Sequence, residues 1–115
     1  MPDRQIVYLE LPAREIAALK AFYAGLFGWH FEDFGPDYAT FSGAGLEGGC
    51  NAHRDRSGAP LAIIETAEIE AMESKVLAVG GRITAPIFAF PGGRRFHFTD
   101  PSGNELAVMQ PNPAP

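Results

Sequence analysis

Tyr8, Glu10, Asn51, His53, Arg95, His97 and Glu105 are the residues of this chain whose types suit chemistry, and each falls in or beside a short strand-like run. The histidines and glutamates among them are candidate metal ligands, and Glu10 would serve as a general base if a pocket raised its pKa. No HxxxH or HExxH spacing gathers them locally, so the expectation is hydrogen-bonding groups lining a wet pocket rather than a metal centre. Arg94 and Arg95 follow the glycine hairpin Gly92-Gly93 and predict a solvated pair rather than an anion clamp. His30, beside Trp29, is expected at a surface or sheet edge. Cys50 is the lone cysteine, which excludes an internal disulfide and a cysteine-based zinc cage. It is expected to be an inert buried thiol. No nucleophile elbow, Walker loop or dinucleotide fingerprint is present. Gly43-Ala44-Gly45 joins two strands and opens no helix, so it offers no helix N-terminus to a phosphate.

The elements that must position these groups come as a repeat. Ile16–Gly28 laid over Ile69–Gly81 aligns Ile16 with Ile69, Leu19 with Met72, Tyr23 with Val76 and Leu26 with Val79, and each segment closes on glycine. The first strand is Gln5–Leu11, ended by Pro12, which cannot donate to a ladder. A helix follows with Ile16, Leu19, Phe22, Tyr23 and Leu26 at helical spacing, and Gly28 is placed as its C′ residue. Trp29–Phe34, Tyr38–Ser42 and Leu46–His53 read as strands, with Gly35-Pro36-Asp37 a turn and Arg54–Ala59 the linker between halves. Gly48-Gly49 inside a strand marks a close backbone approach or a bulge.

The second half gives strand Leu61–Glu65, Thr66 as N-cap, helix Ala67–Val79, and strands Arg82–Ala89, Arg94–Thr99 and Asn104–Gln110. Asp100-Pro101-Ser102-Gly103 is a tight turn, and the proline-rich tail from Pro111 is expected to fray. The order is therefore β-α-β-β-β, twice, which suggests two copies of one unit. The expected fold class is α+β: two βαβββ modules in one chain, about 4–53 and 60–110 within a single domain over 1–115, with one helix over each sheet and paired open sheets forming a cavity.

Alternation assigns the faces. Val7, Leu9, Leu11, Cys50, Ala52, Phe96, Phe98, Leu106 and Val108 are expected under the helices. Tyr8, Glu10, Asn51, His53, Arg95, His97 and Glu105 collect on the open faces.

Bulk properties narrow the partners. A net charge of −5 on 115 residues disfavours nucleic acid and anionic membrane surfaces. No apolar run reaches the roughly 20 residues that span a bilayer. Asp3, Arg4 and Glu10 interrupt any secretory apolar region, so a cytoplasmic protein is expected. Exposed strand edges and apolar rims point to a homodimer.

The runs YLELPAREIAALKAFYAGLFGW and FHFTDPSGNELAVMQP resemble the vicinal oxygen chelate superfamily, the glyoxalase, bleomycin-resistance and extradiol-dioxygenase group. The helix ending in FY..LFGW and the DP.GN turn before the last strand carry the likeness, which covers essentially the whole chain. The resemblance implies a divalent metal held by four side chains on the first, fourth, fifth and eighth strands. Those positions fall on Tyr8, Asn51, Leu61 and Ala107, so the usual tetrad is missing. The expectation is a protein that binds a small organic ligand, or acts on one, without a metal cofactor. The alternative is a metal-dependent lyase, isomerase or dioxygenase using displaced ligands such as Glu10, His53, His97 and Glu105.

Overall fold

The computed structural model describes residues 3–53 and 58–113. Its elements run β1 (Gln5–Pro12), α1 (Ile16–Phe27), β2 (His30–Asp33), β3 (Tyr38–Ser42), β4 (Glu47–Asn51), β5 (Leu61–Glu65), α2 (Ile69–Ala78), β6 (Arg82–Phe90), β7 (Gly93–Thr99) and β8 (Glu105–Pro111). This is the mostly-sheet α+β class with the doubled β-α-β-β-β order expected of the sequence. The chain divides into two compact units, one of Tyr8–Leu61 and one holding Ala62 onward together with the strand start up to Val7.

In the first unit the strands lie in the order β2-β3-β4-β1. The β1–β4 pair is parallel, with Tyr8 opposite Glu47, Glu10 opposite Gly49 and Leu11 opposite Cys50. A parallel pair needs a crossover, and α1 begins that connection. Ala13, Phe41 and Cys50 are buried against α1, with Leu11, Ile16, Leu19, Trp29 and Phe31 packed around them. Trp29 stacks on Tyr23 at 4.8 Å and on Phe41 at 4.8 Å, joining helix to sheet through aromatic faces. Gly28 sits at φ 74 and its N–H reaches Ala24 O at 2.9 Å, a left-handed cap that a side chain would resist.

The second unit repeats the plan as β5-β8-β7-β6. Ile69, Phe96 and Val108 form its core, with Ile64, Met72, Val76, Ile83, Ile87 and Phe98 around them. The last strand is pinned by the turn before it. The Asp100 side chain accepts from the backbone N–H groups of Ser102 at 2.9 Å and Asn104 at 3.0 Å, and from Asn104 Nδ2 at 2.9 Å. The Asn104 amide foremost, with these backbone donors, holds the Asp100 carboxyl below its usual range.

Several boundaries differ from the sequence reading, each for a local reason. Pro12 stays in β1, opposite Asn51, and Pro111 stays in β8, opposite Gly93. Proline lacks the N–H but keeps its carbonyl, so it is tolerated at a strand end. α2 starts at Ile69 rather than Ala67, and Thr66, buried ahead of it, accepts at Oγ1 from the Glu68 N–H at 3.2 Å rather than from a helical N–H. Two further donors at its entry are taken by distant side chains: Ile69 N–H by Gln110 Oε1 at 3.0 Å and Ala67 N–H by Asp3 Oδ1 at 3.1 Å. The linker assigned to Arg54–Ala59 falls in part outside the described residues.

Phe96 is 0% exposed in the second core. Phe96→Ala should cost about 3–5 kcal/mol in denaturant unfolding. Leu77→Ala, at a helix position 58% exposed, should stay within about 0.5 kcal/mol of wild type. Equal losses at the two positions would contradict this placement of the core.

Candidate functional site

Each helix covers one face of its sheet, and the functional side chains gather on the faces it leaves open. In the first unit, Tyr8 and Glu10 on β1, Asn51 on β4 and Tyr38 on β3 share that face through the register Glu10–Gly49–Thr40 and its neighbour Asn51–Tyr38. The Tyr8 and Tyr38 hydroxyls approach to 2.5 Å. Gly49 makes this contact possible: a Cβ built there would strike both hydroxyl oxygens. The close approach expected at Gly48-Gly49 is thus two phenols lying over a bare strand. Gly48 serves the covered face in the same way, where a Cβ would meet the Phe41 ring and the Leu9 carbonyl.

Burial raises the Tyr8 pKa above its usual 10.0, with the charges of Glu10 and Glu47 acting in the same direction and the Tyr38 hydrogen bond opposing them. Tyr8 is therefore a proton donor at neutral pH. Glu10 is 2% exposed and lies on the sheet face beside Tyr8. A concavity of about 350 Å³ adjoins Tyr8, with His30, Thr40, Ser42 and Glu47 on its walls. His30 is exposed on β2, as expected of an edge residue. Cys50 is 0% exposed on the covered face, and burial pushes its thiol up to about 11.

His53 does not lie on the strand. It falls in the turn after β4, its backbone N–H bonded to Asn51 Oδ1 at 2.9 Å and its ring Nε2 3.0 Å from Asp37 Oδ2. Asn51 turns the chain here by an Asx-type bond, which stops the ladder before His53.

In the second unit, β7 splits its two arginines between faces. Arg94 pairs with Glu70 of α2, while Arg95 lies on the open face with its guanidinium 5.5 Å from the ring centres of both Phe88 and Phe90. The solvated arginine pair expected from the sequence is therefore not what forms, because alternation separates neighbours along a strand. Two residues on, His97 Nδ1 lies 3.4 Å from Glu105 Oε2, which accepts from Thr84 Oγ1 at 3.0 Å. Phe88 also lies 5.7 Å from the His97 ring. Arg95, His97 and Glu105 are thus one connected patch with Thr84, Phe88 and Phe90.

Sequence reasoning missed Tyr38, Thr84, Phe88 and Phe90. Tyr38 had a signal: in the β3–β4 pair it stands opposite Asn51, on the face that alternation gives Asn51. The residues on β6 had none, because that strand carries register irregularities between Ile83 and Phe88.

The family model for the Glyoxalase/Bleomycin resistance protein/Dioxygenase superfamily matches residues 5–108. The chain belongs to that superfamily. Solved structures agree on the fold. A chain described as NAD-dependent benzaldehyde dehydrogenase from Legionella pneumophila superposes with a TM-score of 0.75 at 16% identity, covering 91% of this chain and 98% of that one. A glyoxalase/bleomycin resistance protein/dioxygenase superfamily member from Vibrio splendidus 12B01 gives 0.68 at 16% identity, covering 94% and 98%. The Mn(II)-bound glyoxalase from Novosphingobium aromaticivorans gives 0.67 at 20% identity, covering 95% of this chain and 39% of that protein. No curated protein sequence matches the chain.

The positions to which the resemblance assigns a metal tetrad hold Tyr8, Asn51, Leu61 and Ala107. Leu61 is 1% and Ala107 0% exposed, and neither side chain carries a donor atom. At the first position the Tyr8 oxygen is engaged with Tyr38. Among the described residues no three His, Cys, Asp or Glu side chains converge on a point where an ion could sit. The residues present do not fit the group.

Gly49→Ala should drive the two hydroxyls apart and cost about 1–3 kcal/mol, as overpacking does. The raised pKa of Tyr8 also fixes an alkaline sign: the stability it adds is complete below pH 10 and is lost as pH rises through the higher folded value. Tyr8→Phe should flatten that part of the unfolding-versus-pH curve. A Gly49→Ala variant as stable as wild type would show that the tyrosines do not meet over this residue.

Proposed function

We propose that this superfamily member binds a small organic molecule on its open sheet faces without a metal cofactor. The observation that carries the reading is the Tyr8–Tyr38 pair. At the position where the superfamily resemblance implies the first metal ligand, this chain has a phenol bonded to a second phenol at 2.5 Å. A neutral phenol with a raised pKa is a poor ligand for a hard or borderline divalent ion, which prefers imidazole or carboxylate. It is a good hydrogen-bond donor, and the pair offers two adjacent hydroxyls to a carbonyl or hydroxyl group of a ligand. Leu61 and Ala107 support the same reading by supplying hydrocarbon where donors would be needed.

Purified protein should carry no stoichiometric divalent metal, and excess Ni²⁺, Zn²⁺, Mn²⁺ or Fe²⁺ should leave its thermal midpoint unchanged. An ion that binds only the folded chain stabilises it by about 2.7 kcal/mol at a hundredfold excess over its dissociation constant. A clear upward shift with any one of these ions, at substoichiometric chelator, would defeat the metal-independent reading in favour of a displaced ligand set.

The reading includes a homodimer. α1 has no fully buried residue, and Phe22, Leu26 and Phe27 on it are 58%, 58% and 60% exposed. Apolar area of this kind is commonly covered by a partner. Light scattering at micromolar concentration should give twice the 12.4 kDa chain mass, and a monomer mass would contradict the assembly.

A further inference from the structure

We propose that the open face of the first unit binds a small hydroxylated amine in its ammonium form, with Glu47 meeting the ammonium and Ser42, Thr40 and Glu32 accepting from the rest of the molecule. This rests on the reading of the uncovered faces as ligand surfaces, and it names the ligand class for one of them.

Alternation builds the site. On β2, Phe31 packs against the core under α1 and Asp33 pairs with Lys20 of that helix, so His30 and Glu32 fall on the open face. On β3, Phe41 is buried in the same core, which puts Thr40 and Ser42 on the open face, opposite Glu32 and His30. Glu47 stands opposite Tyr8 in the β1–β4 pair. These six side chains share one concavity of about 350 Å³, within the roughly 300–1,000 Å³ that small-ligand pockets take.

The chemistry of that lining selects the ligand. Ionised glutamates only accept hydrogen bonds, whereas serine and threonine hydroxyls both give and accept. Among the described residues, the lysine and arginine of this unit stand on the helix side: Lys20 is committed to Asp33 at 2.7 Å, and Arg14 lies near both beside Ile16. The negative charge reaches into the concavity, because the Tyr8 pKa, raised foremost by burial, is raised further by Glu47. A complementary molecule therefore brings a positive charge and several donors. An ammonium group offers three N–H donors, and hydroxyls on neighbouring carbons reach the Ser42 and Thr40 oxygens. A bare divalent ion is a poorer match, since His30, Glu32 and Glu47 do not converge on a point where one could sit. A molecule that spans strands needs no such convergence.

The test is an amide-shift NMR titration of the full chain with serinol, glycerol and isopropylammonium, three molecules on one carbon skeleton, repeated on Glu47→Gln, Glu32→Gln and Glu15→Gln. Serinol should saturate with a Kd on the order of 1 mM and shift the amides of Tyr8, Ser42 and Glu47. Glycerol carries a hydroxyl in place of the ammonium and isopropylammonium carries methyls in place of the hydroxyls, so each should bind about tenfold more weakly. Glu47→Gln should weaken serinol by about tenfold and Glu32→Gln by about threefold. Glu15→Gln removes an equal charge ahead of α1, away from the concavity, and should leave serinol binding unchanged. Wild-type spectral dispersion in each variant establishes its fold, and Glu32→Gln carries the comparison where Glu47→Gln loses it. Absence of saturable serinol shifts, equal binding of glycerol or isopropylammonium, or equal losses from Glu15→Gln and Glu47→Gln would overturn the proposal. A metal-induced rise in melting temperature defeats the metal-independent reading, whereas the dependence of serinol on Glu47 is read with no metal added, so the two failures are distinguishable.

Discussion

A single helix can cover only one face of a four-stranded sheet, and the chemistry of this protein is set by what is left uncovered. Period-two alternation sends neighbouring residues to opposite faces, so every strand is divided between a helix-packed set and an open set. Phe96 and Val108 are held at 0% and 2% exposure against Ile69 of α2. That burial fixes the register of β7 and β8, because a one-residue slip would turn Phe96 outward and bring Arg95 under the helix. The open face is therefore not an independent design. Arg95, His97 and Glu105 stand where they do because Phe96, Phe98 and Val108 cannot stand anywhere else.

The same constraint explains how much of the structure was legible in the residues. Element order, the left-handed glycine after α1 and the covered set of each strand follow from apolar spacing, which burial enforces strongly. The ends of elements follow from contacts that spacing does not encode. α2 begins at Ile69 because Gln110, a residue 41 positions away, takes its first N–H. β4 stops before His53 because the Asn51 side chain bonds the His53 backbone. The divergence of Arg94 and Arg95 was available from alternation alone. Both lie in the strand read over Arg94–Thr99, but the partner that takes Arg94, Glu70 of α2, is a contact that spacing does not encode. Tyr38 and the phenylalanines of β6 required knowing which strands lie side by side.

Glycine at position 49 links backbone geometry to site chemistry. On most strands an open-face residue would hold Tyr8 and Tyr38 apart by the width of a side chain. Here nothing intervenes, and the two hydroxyls meet at 2.5 Å over the bare backbone. Removing one hydroxyl leaves the other to find a partner on a half-buried face, which costs more than the bond itself contributes. The pair is thus mutually stabilising and holds both phenols over Gly49.

The metal-independent reading proposed for this chain carries an electrostatic consequence. A metal site concentrates positive charge and draws carboxylates toward it, lowering their pKa values and those of coordinated hydroxyls. With tyrosine in such a place the sense reverses: burial and the charges of Glu10 and Glu47 raise the phenol's pKa, so the group that would meet a ligand is protonated and neutral. On the second unit's open face the Arg95 guanidinium lies over the rings of Phe88 and Phe90. Where the resemblance implies the first ligand, the first unit holds a protonated phenol paired with a second one over a glycine, and that pairing exists only because the strand between them carries no side chain.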